Sequence, residues 1–401
     1  MTSLPGTGHG TGHGTGNGHR AQKERGRPRI CMPSGRGFRR KAWLCGHYEA
    51  QDVLTEVDDV DLICLEPGRG YETRELWQRK IMYRDITRTA VYANPGLRTV
   101  RLTRDYDLFV ARCQTYKDLL DINAIRGWKD RCRTSVVWID EMFAALLPEQ
   151  KYWLHALRQF DHVFVGFSGT TEPLSNIIGL PCHYLPGAVD AVRFTPGARP
   201  PARVVDILSI GRRWEGLHQA LRAVAGQTGG FYLFDTFAGS QVEPWDHRQH
   251  REQFANVARR SRYFVVAPGK IDRPDETQGQ TEVGHRYFEG AAAGAVMIGQ
   301  GAVCATFSEL FPWPDAVIEV QPDGSDAVET LHRLGADPER LATISRTNAQ
   351  QALLRHDWAY RWKEILQVAG LEPAPAMQAR EERLKEIAQA VASTELERVA
   401  V

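Results

Sequence analysis

The feature that most constrains this fold is the stretch TEVGHRYFEGAAAGAVMIGQ at positions 281–300. Its pattern predicts a helix that runs directly into a buried strand. Glu282, Arg286 and Glu289 are spaced at i, i+4 and i+7, so in a helix they share one stripe. Gly294 is predicted to end the helix, and the apolar run at 295–298 has no polar face. An apolar strand directly behind a helix indicates a parallel sheet that is buried on both sides.

The same alternation of apolar strands and amphipathic helices continues along most of the chain. Strands are predicted at 42–46, 60–65, 107–111, 134–139, 162–166 and 183–185, and again at 204–210, 230–234, 262–267, 295–298 and 317–320. A segment rich in Pro and Gly, at 186–203, separates the two series. The pattern predicts an α/β fold of two units with a cleft between them.

Composition narrows the class of protein. The 401 residues are 42% hydrophobic and 25% charged, as in ordinary soluble proteins. The net charge of +1 gives no electrostatic case for nucleic acid, so no nucleic-acid partner is expected. No apolar run is long enough for a transmembrane segment, and the N-terminus lacks the apolar core of a signal peptide. The seven scattered cysteines read as reduced core residues, so we expect a cytoplasmic protein.

Two stretches have residues that could bind a metal ion. His9, His13 and His19 lie in a glycine repeat that cannot bury enough apolar surface to fold, so we expect a disordered tail there. Asp59 and Asp61 form a D-x-D pattern, but they lie at the start of a predicted strand, the wrong end for a ligand. No metal site is therefore predicted.

Polar residues placed just after strands are the candidates for chemistry, because open parallel sheets bind ligands at the carboxyl ends of their strands. Arg212 and Arg213 follow one strand, Lys270 follows another, and Glu282 and Glu289 lie on the predicted helix. Guanidinium and ammonium groups suit a diphosphate, and carboxylates accept hydrogen bonds from sugar hydroxyls. The set favours a nucleotide-sugar site, although a surface basic pair and a loop-tip lysine remain the alternative interpretation.

Residues 204–369 resemble the nucleotide-binding half of GT-B glycosyltransferases, especially the group 1, spore-maturation-type subset. The matching pieces, in the family's order, are VVDILSIGRR, HRYFEGAAAGAVMIG, FSELFPWPDAVIEV, DPERLATIS and HDWAYRWKEIL. The first half is less similar, mainly through SGTTEPLSNIIGLPCHYLPGAVDAVRFTP. The resemblance implies two facing Rossmann-like domains, a nucleotide-sugar co-substrate with no separate cofactor, and a C-terminal helix that crosses back to the first domain.

The resemblance and the composition together give predicted domain limits. They are a disordered Gly/His-rich and basic tail at 1–40, an acceptor domain at 41–195, a nucleotide-sugar domain at 196–347, the crossover helix at 348–371 and a terminal helix at 372–401.

Site residues are also implied by the resemblance. In retaining relatives two glutamates on the central helix bind the donor, and Glu289 matches the second of them through RYFEG. Glu282 would be the first of them. In relatives seven residues usually separate the two glutamates, but only six separate Glu282 from Glu289, and Thr281 occupies the expected position. The donor-binding set that follows is Arg212, Arg213, Lys270, His285, Arg286, Tyr287 and Glu289.

Sugar transfer in this family can proceed with retention or with inversion of the anomeric configuration. Arg212, Lys270 and Arg286 would neutralise the departing phosphate. In retaining transfer the phosphate itself can take the acceptor proton, whereas inverting transfer needs a base from the first domain. The candidate bases are His47, Asp140 and Glu141, any of which could instead be structural, and Ser168, Gly169 and Thr170 could be either a phosphate loop or a helix cap.

The predicted function is therefore metal-independent, retaining sugar transfer from a nucleotide diphosphate to a soluble small-molecule or natural-product acceptor. Two alternatives remain: a sugar-nucleotide epimerase of the same architecture, and an inactive nucleotide-sugar-binding protein.

Overall fold

The computed structural model describes residues 28–83, 88–236 and 242–393, which form two α/β units built on parallel sheets. Residues 1–27 of the predicted tail at 1–40, and residues 394–401 of the predicted terminal helix, lie outside these ranges. Among the helices of the described residues, none combines the length and the apolar character that crossing a membrane requires.

The first unit contains a six-stranded sheet, a small two-stranded sheet and helices around them. Its strands are β1 (Ile30–Ser34), β2 (Val60–Cys64), β3 (Val100–Arg101), β4 (Tyr106–Thr115), β5 (Ile125–Arg126), β6 (Cys132–Glu141), β7 (His162–Val165) and β8 (Cys182–Tyr184). The spatial order of the main sheet is β2-β1-β4-β6-β7-β8, and all its pairs are parallel. Its helices are α1 (Cys45–Val57), α2 (Tyr71–Tyr83), α3 (Trp128–Arg131), α4 (Lys151–His155), α5 (Ser168–Ile178) and α6 (Ala191–Phe194).

Short 3₁₀ helices complete the first unit. They span Ala42–Leu44, Arg88–Tyr92, Tyr116–Ala124, Ala144–Leu146, Pro148–Gln150 and Ala156–Gln159.

The first strand lies earlier in the chain than the sequence indicated. Residues 30–34, placed in the tail by the predicted limit at residue 40, form β1, and Ile30, Cys31 and Met32 are fully buried. This strand was not predicted because its apolar run is short and has arginines on both sides. Pro33 is tolerated because the pairing of β1 with β4 involves only Ile30 and Cys31. The folded part of the chain therefore begins before residue 41.

The strand predicted at 42–46 is instead helical, as a 3₁₀ turn that leads into α1. The buried residues Ala50, Val53, Leu54 and Val57 follow helical spacing and pack on the first sheet. A short apolar run such as AWLCG cannot be assigned to a strand or a helix by periodicity alone. The helical spacing of the buried residues from Ala50 onwards shows that this segment is a helix.

The second unit is a five-stranded parallel sheet with helices on both faces. Its strands are β9 (Val205–Ser209), β10 (Tyr232–Phe234), β11 (Ser261–Val266), β12 (Val296–Gly299) and β13 (Ile318–Glu319), in spatial order β10-β9-β11-β12-β13. Its helices, with those that follow to the C-terminus, are α7 (Glu215–Thr228), α8 (His247–Arg259), α9 (Pro274–Thr277), α10 (His285–Ala292), α11 (Phe307–Leu310), α12 (Ala327–Gly335), α13 (Pro338–Arg355), α14 (Trp358–Val368) and α15 (Pro375–Ala392).

The central stretch is a helix that runs into a buried strand, as predicted, but the helix is shorter. α10 begins at His285 with Gly284 as its N-cap, so Glu282 lies in the preceding segment and does not share a helix with Glu289. A Cβ at Gly290 would meet Met297 Cγ at 3.0 Å. Close approach of the helix to the sheet therefore accounts for this glycine, and the chain turns into β12 at Gly294, where φ is +60°.

The C-terminal helix α14 packs on the first unit. Trp362 Nε1 donates to the carbonyl of Ala50 at 2.8 Å, and the ring of Trp358 lies 6.0 Å from that of Trp138 in β6. The crossover implied by HDWAYRWKEIL is thus present, and the predicted fold of two Rossmann-like units is confirmed.

Candidate active site

In the second unit the carboxyl ends of β9 and β11 lie beside the start of α10, and we refer to this edge of the sheet as the crevice. The next strand in sequence after β9 is β10, which lies on one side of β9, and β11 lies on the other side. The direction of the strand order therefore reverses between β9 and β11. Open parallel sheets bind ligands at such points. Arg212 follows β9 and Lys270 follows β11, and Gly211 has a φ of +97°, a conformation that favours glycine.

Lys270 lies between the two units. Its Nζ is 2.6 Å from Glu276 Oε2 and 3.8 Å from Glu141 Oε2 at the end of β6, and it lies 5.3 Å from the ring centre of Phe143. Burial raises the pKa of Glu141, although Lys270 and Arg212 oppose that change. The φ of Lys270 is +55°, a costly conformation for a residue with a side chain. Such strain beside a cleft is typical of functional residues.

The two arginines that follow β9 point to different places. Arg212 is 46% exposed at its side chain and pairs with Asp272 at 2.6 Å. Arg213 donates to the carbonyl of Asp235 at 3.0 Å and lies 5.3 Å from the ring centre of Phe234, at the end of β10. The structure therefore places Arg212 at the rim of the crevice and directs Arg213 towards β10.

Glu289 is buried within the crevice and held by two arginines. It forms ion pairs with Arg286 and with Arg251 of α8, and Arg286 Nε also donates to the carbonyl of Ile210 at 3.0 Å. Burial alone would raise the pKa of Glu289, but the two guanidinium groups lower it to about 2. The carboxylate is therefore ionised at neutral pH.

The neighbours of Arg286 on α10 face different surroundings. His285 lies 6.0 Å from the ring of Trp358, and burial lowers its pKa although the carboxylates of Asp140 and Glu289 oppose this. Tyr287 is fully buried and donates to the carbonyl of Gln300 at 2.5 Å. His285 thus faces the first unit, whereas Tyr287 packs in the core and is not brought to the crevice.

Glu282 caps a helix of the first unit. Its carboxylate accepts hydrogen bonds from the backbone N–H groups of Ser168 at 3.1 Å and Gly169 at 2.9 Å, and from Gln280 Nε2 at 2.7 Å. The start of α5, considered above as a phosphate loop, therefore already holds a carboxylate. Thr170 is buried and donates to the carbonyl of Met142 at 2.5 Å. Glu282 thus joins the two units: its carboxylate faces α5, and its carbonyl accepts from the N–H of Gly269, beside Lys270, at 3.0 Å.

The first-unit cluster consists of His47, Arg112 and Asp140. Arg112 Nη2 is 2.9 Å from Asp140 Oδ2, and His47 Nδ1 is 3.3 Å from the same oxygen. The Arg112 guanidinium lies 4.5 Å from the ring centres of both Trp138 and Trp358. Burial and Arg112 lower the pKa of His47, so its imidazole is neutral at pH 7. Burial would raise the pKa of Asp140, but Arg112 and His47 bring it below its usual value.

A small cavity adjoins this cluster. Its volume is about 40 Å³, enough for a few water molecules or one small polar group, and its lining includes Ser34, Arg39, His47, Tyr48, Asp118 and Asp121. Burial, helped by the carboxylates of Asp118 and Glu75 and opposed by Arg39, raises the pKa of Asp121 to about 7. We refer to this space as the small cavity.

Several residues of the site could not be found from the sequence. Arg251 lies in HRQHREQF, which reads as an exposed basic helix, yet it is 4% exposed and binds Glu49 of α1 at 2.7 Å. Arg112 lies within the apolar strand β4, and only its position among buried residues marks it as unusual. These contacts join residues that are far apart in sequence, so no local spacing reveals them.

Comparison with known proteins adds to this geometry. Residues 210–367 match a family described as glycosyl transferase-like. We refer to this segment, which is similar to that family, as the glycosyltransferase-like domain. No protein of curated function matches the sequence.

Solved structures give the fold around the glycosyltransferase-like domain. An alpha-glucosyltransferase in complex with UDP and a 13-mer DNA containing a HMU base is 11% identical, with a TM-score of 0.52, over 85% of this chain and 98% of that one. A glycosyltransferase from Rickettsia africae ESF-5 is 10% identical, with a TM-score of 0.47, over 85% and 97%. A putative UDP-N-acetylglucosamine 2-epimerase from Listeria monocytogenes is 9% identical, with a TM-score of 0.47, over 86% and 98%. With its two sheets, the protein has the GT-B fold.

The predicted absence of a nucleic-acid partner is wrong. An alpha-glucosyltransferase of the same fold was solved in complex with DNA, so the fold does not exclude such a partner. The prediction rested on the net charge of +1, which sums over the whole chain, whereas a partner meets only local charge. Arg36, Arg40 and Lys41 of the first unit line one cavity between the units, where Arg36 pairs with Asp52 and Lys41 pairs with Glu243.

Proposed function

We propose that the protein transfers a sugar from a nucleoside-diphosphate sugar to an acceptor hydroxyl without a metal ion. The observation that carries this proposal is the convergence of Arg212, Lys270 and Arg286 on the crevice that contains Glu289. Negative charge grows on the departing diphosphate in the transition state, and fixed cations stabilise it. Each Glu289 oxygen keeps a lone pair for a ribose hydroxyl beside its arginine.

Retention of anomeric configuration is the route we favour. Asp140 is bound to Arg112, and Glu141 faces Lys270, so both carboxylates are already engaged. A leaving phosphate that takes the proton of the acceptor needs no base from the first unit. Glu282 has no part in this step, because its carboxylate caps α5.

Inversion is the second candidate, and the first-unit cluster is the observation that favours it. The neutral imidazole of His47 touches Asp140 and lines the small cavity. A hydroxyl bound in that cavity could give its proton to His47, and Asp140 would stabilise the imidazolium that forms. The configuration of the product separates the two routes.

The acceptor side lies in the first unit. The small cavity fits only the reacting end of a molecule, but a second cavity of about 180 Å³ shares Tyr48 as a wall and is lined also by Arg36, Arg40, Lys41 and Trp245. Arg36 and Lys41 already pair with Asp52 and Glu243, and Arg40 with an indole that is 93% exposed suits an anionic group next to a flat ring. We propose a phosphorylated small molecule or natural product as acceptor, and nucleic acid, as bound by the structural neighbour, is the competing acceptor.

A reducing compartment, the cytoplasm, is the proposed location. All seven cysteines are free thiols, and Cys31, Cys45 and Cys113 are buried in the core. Proteins of oxidising compartments generally pair their cysteines.

Donor turnover with water as acceptor tests the proposal before the natural acceptor is known. Sugar conjugates of UDP, GDP, TDP and ADP are incubated with the protein in the presence of a chelator, and nucleoside diphosphate and free sugar are measured by chromatography. Release of both from one donor supports glycosyl transfer, and NMR of the first-formed sugar gives its configuration. A phosphorylated sugar and a short DNA oligonucleotide, added separately, then compare the two acceptor classes.

Three results would contradict the proposal in different ways. Conversion of one sugar nucleotide into another without release of diphosphate indicates an epimerase. Binding of a donor with no release and no conversion indicates a protein without chemistry. Turnover that appears only without the chelator contradicts metal independence.

A further inference from the structure

Arg251 connects the proposed donor carboxylate to the first unit. Arg251 Nε lies 2.7 Å from Glu49 Oε2 and Nη2 lies 3.1 Å from Glu49 Oε1, while Nη1 binds Glu289. One guanidinium thus holds a carboxylate from each unit. Arg251 is 4% exposed, Glu49 is 0% exposed and Glu289 is 3% exposed. The Arg251–Glu49 contact is therefore buried, whereas Arg286, the other partner of Glu289, is 33% exposed at its side chain.

Glu49 in turn touches the segments that join the two units. Its Oε1 accepts from the backbone N–H of Asp190, in the segment between the sheets, at 2.9 Å, and from Trp358 Nε1 of α14 at 3.0 Å. Asp190 and Trp358 belong to the two passages of the chain between the units. The position of Glu49 therefore follows any movement of one unit against the other.

This arrangement is an expensive way to obtain stability alone. Burying ionised groups requires removing their hydration, and well-packed apolar residues of similar volume often stabilise a protein as well or better. A guanidinium, however, fixes two carboxylates in planar, directional contacts that apolar packing cannot supply. The geometry suits orientation of Glu289 better than it suits cohesion of the two units.

We propose that Arg251 and Glu49 form a positioning pair that orients Glu289 for the donor and couples donor binding to the relative placement of the two units. The inference rests on the proposed donor role of Glu289. With Arg251 bound to Glu49, the Glu289 carboxylate is held from the side of the first unit by Arg251 and from the side of β9 by Arg286. Release of Glu49 would leave Arg251 free to turn, and Glu289 with it.

Calorimetric titration with nucleoside diphosphates tests the pair. The ligand is whichever of UDP, GDP, TDP and ADP binds the wild type most tightly. We expect Arg251→Gln to weaken its affinity about tenfold or more, because one charge-assisted hydrogen bond to Glu289 is lost. Arg251→Lys keeps the charge and should recover part of the affinity. Glu49→Gln can still accept from Asp190 and Trp358, but its amide N–H group faces Arg251, so affinity should fall here as well.

A matched control separates positioning from general attachment of the units. Arg248 lies on the same helix, is 61% exposed at its side chain and pairs with Asp52 of the first unit without touching Glu289. Arg248→Gln should leave nucleoside-diphosphate affinity unchanged. In the double variant Arg251→Gln with Glu49→Gln, affinity should equal that of Arg251→Gln alone, because the pair acts as one unit.

Different failures have different meanings. If Arg251→Gln and Glu49→Gln lower only the melting temperature and keep wild-type affinity, the pair is structural and the inference is overturned while the donor site stands. If Arg251→Gln weakens binding and Glu49→Gln does not, coupling to the first unit is overturned. If Arg251→Gln does not fold, Arg251→Lys and Glu49→Gln decide by the same criteria. If no nucleoside diphosphate binds the wild type, the proposed function fails together with the inference.

Discussion

At corresponding edges of their sheets, the first unit buries its charged cluster, whereas the second unit leaves two of the cations around the buried Glu289 partly exposed. In the first-unit cluster, the side chain of Arg112 is 0% exposed and that of Asp140 is 4% exposed, and they satisfy each other. In the second-unit crevice, the side chains of Arg212 and Arg286 are 46% and 33% exposed. Buried pairs hold a shape, whereas cations at a rim remain available to a ligand. The first unit therefore suits the rigid acceptor side that we propose, and the second unit suits the charged donor side that we propose.

The largest expected effect comes from breaking the buried pair of the first unit. Asp140→Ala leaves the Arg112 guanidinium uncompensated between two indole rings, which should lower the free energy of unfolding by about 3–5 kcal/mol. Urea denaturation followed by tryptophan fluorescence measures the change. A loss below about 1 kcal/mol, the range of exposed pairs, would mean that the cluster is not the rigid part of the comparison.

The next effect should appear on the donor side. Lys270→Gln removes a cation from the crevice and should weaken nucleoside-diphosphate binding by about 1.5–3 kcal/mol, the range of hydrogen bonds to charged groups. Titration calorimetry compares it with Arg248→Gln, whose side chain pairs with Asp52 of the first unit. Equal losses in both variants would show that general positive charge, and not the placement of Lys270, attracts the ligand.

A smaller effect should appear as pH dependence of stability. The folded-state pKa of His47 is lowered, so below its ordinary pKa of about 6.5 the unfolded state binds more protons than the folded state. The stability that comes from keeping His47 neutral in the folded state is present above pH 6.5 and is lost as the pH falls. Between pH 7.5 and 5.5 the wild type should lose about 1 kcal/mol more stability than His47→Gln in parallel urea titrations. Identical pH profiles would place the imidazole in contact with water.

The smallest effect should come from an exposed pair at the rim. Asp272 is 51% exposed at its side chain and pairs with Arg212. Asp272→Ala should change the free energy of unfolding by at most about 1 kcal/mol. Because Arg212 is then released towards the crevice, nucleoside-diphosphate affinity should stay constant or rise slightly in calorimetry. A clear loss of affinity would indicate that Asp272 orients Arg212 for the ligand.

The sequence predicts the fold better than it predicts the site, and individual residues show why. Strands such as those predicted at 134–139 and 262–267 are recognisable because burial on both faces leaves an apolar run at 136–139 and at 263–267. β1 was missed because its five residues lie among arginines. The helix predicted from residue 281 starts at His285, with Gly284 as its N-cap. Glu282 therefore lies outside the helix, and its carboxylate binds the N–H of Gly169.

Some of the candidate donor residues are visible in the local sequence, and others are visible only in the folded chain. Arg212 and Lys270 were identifiable because they follow strands, and the carboxyl edge of a parallel sheet brings such residues together. Tyr287 was assigned to the donor, but its helical position turns it into the core. Arg251 and Glu49 lie far apart in sequence, and only the folded chain shows that they meet at Glu289.

The central claim is that the crevice of the second unit binds a nucleoside diphosphate through its own cations. Calorimetric titration of UDP, GDP, TDP and ADP, each in the presence of a chelator, tests it most directly when wild type is compared with a variant carrying both Lys270→Gln and Arg286→Gln. The account predicts that one diphosphate binds the wild type and that the double variant loses this binding. Failure of all four to bind, or undiminished binding to the double variant, would contradict it.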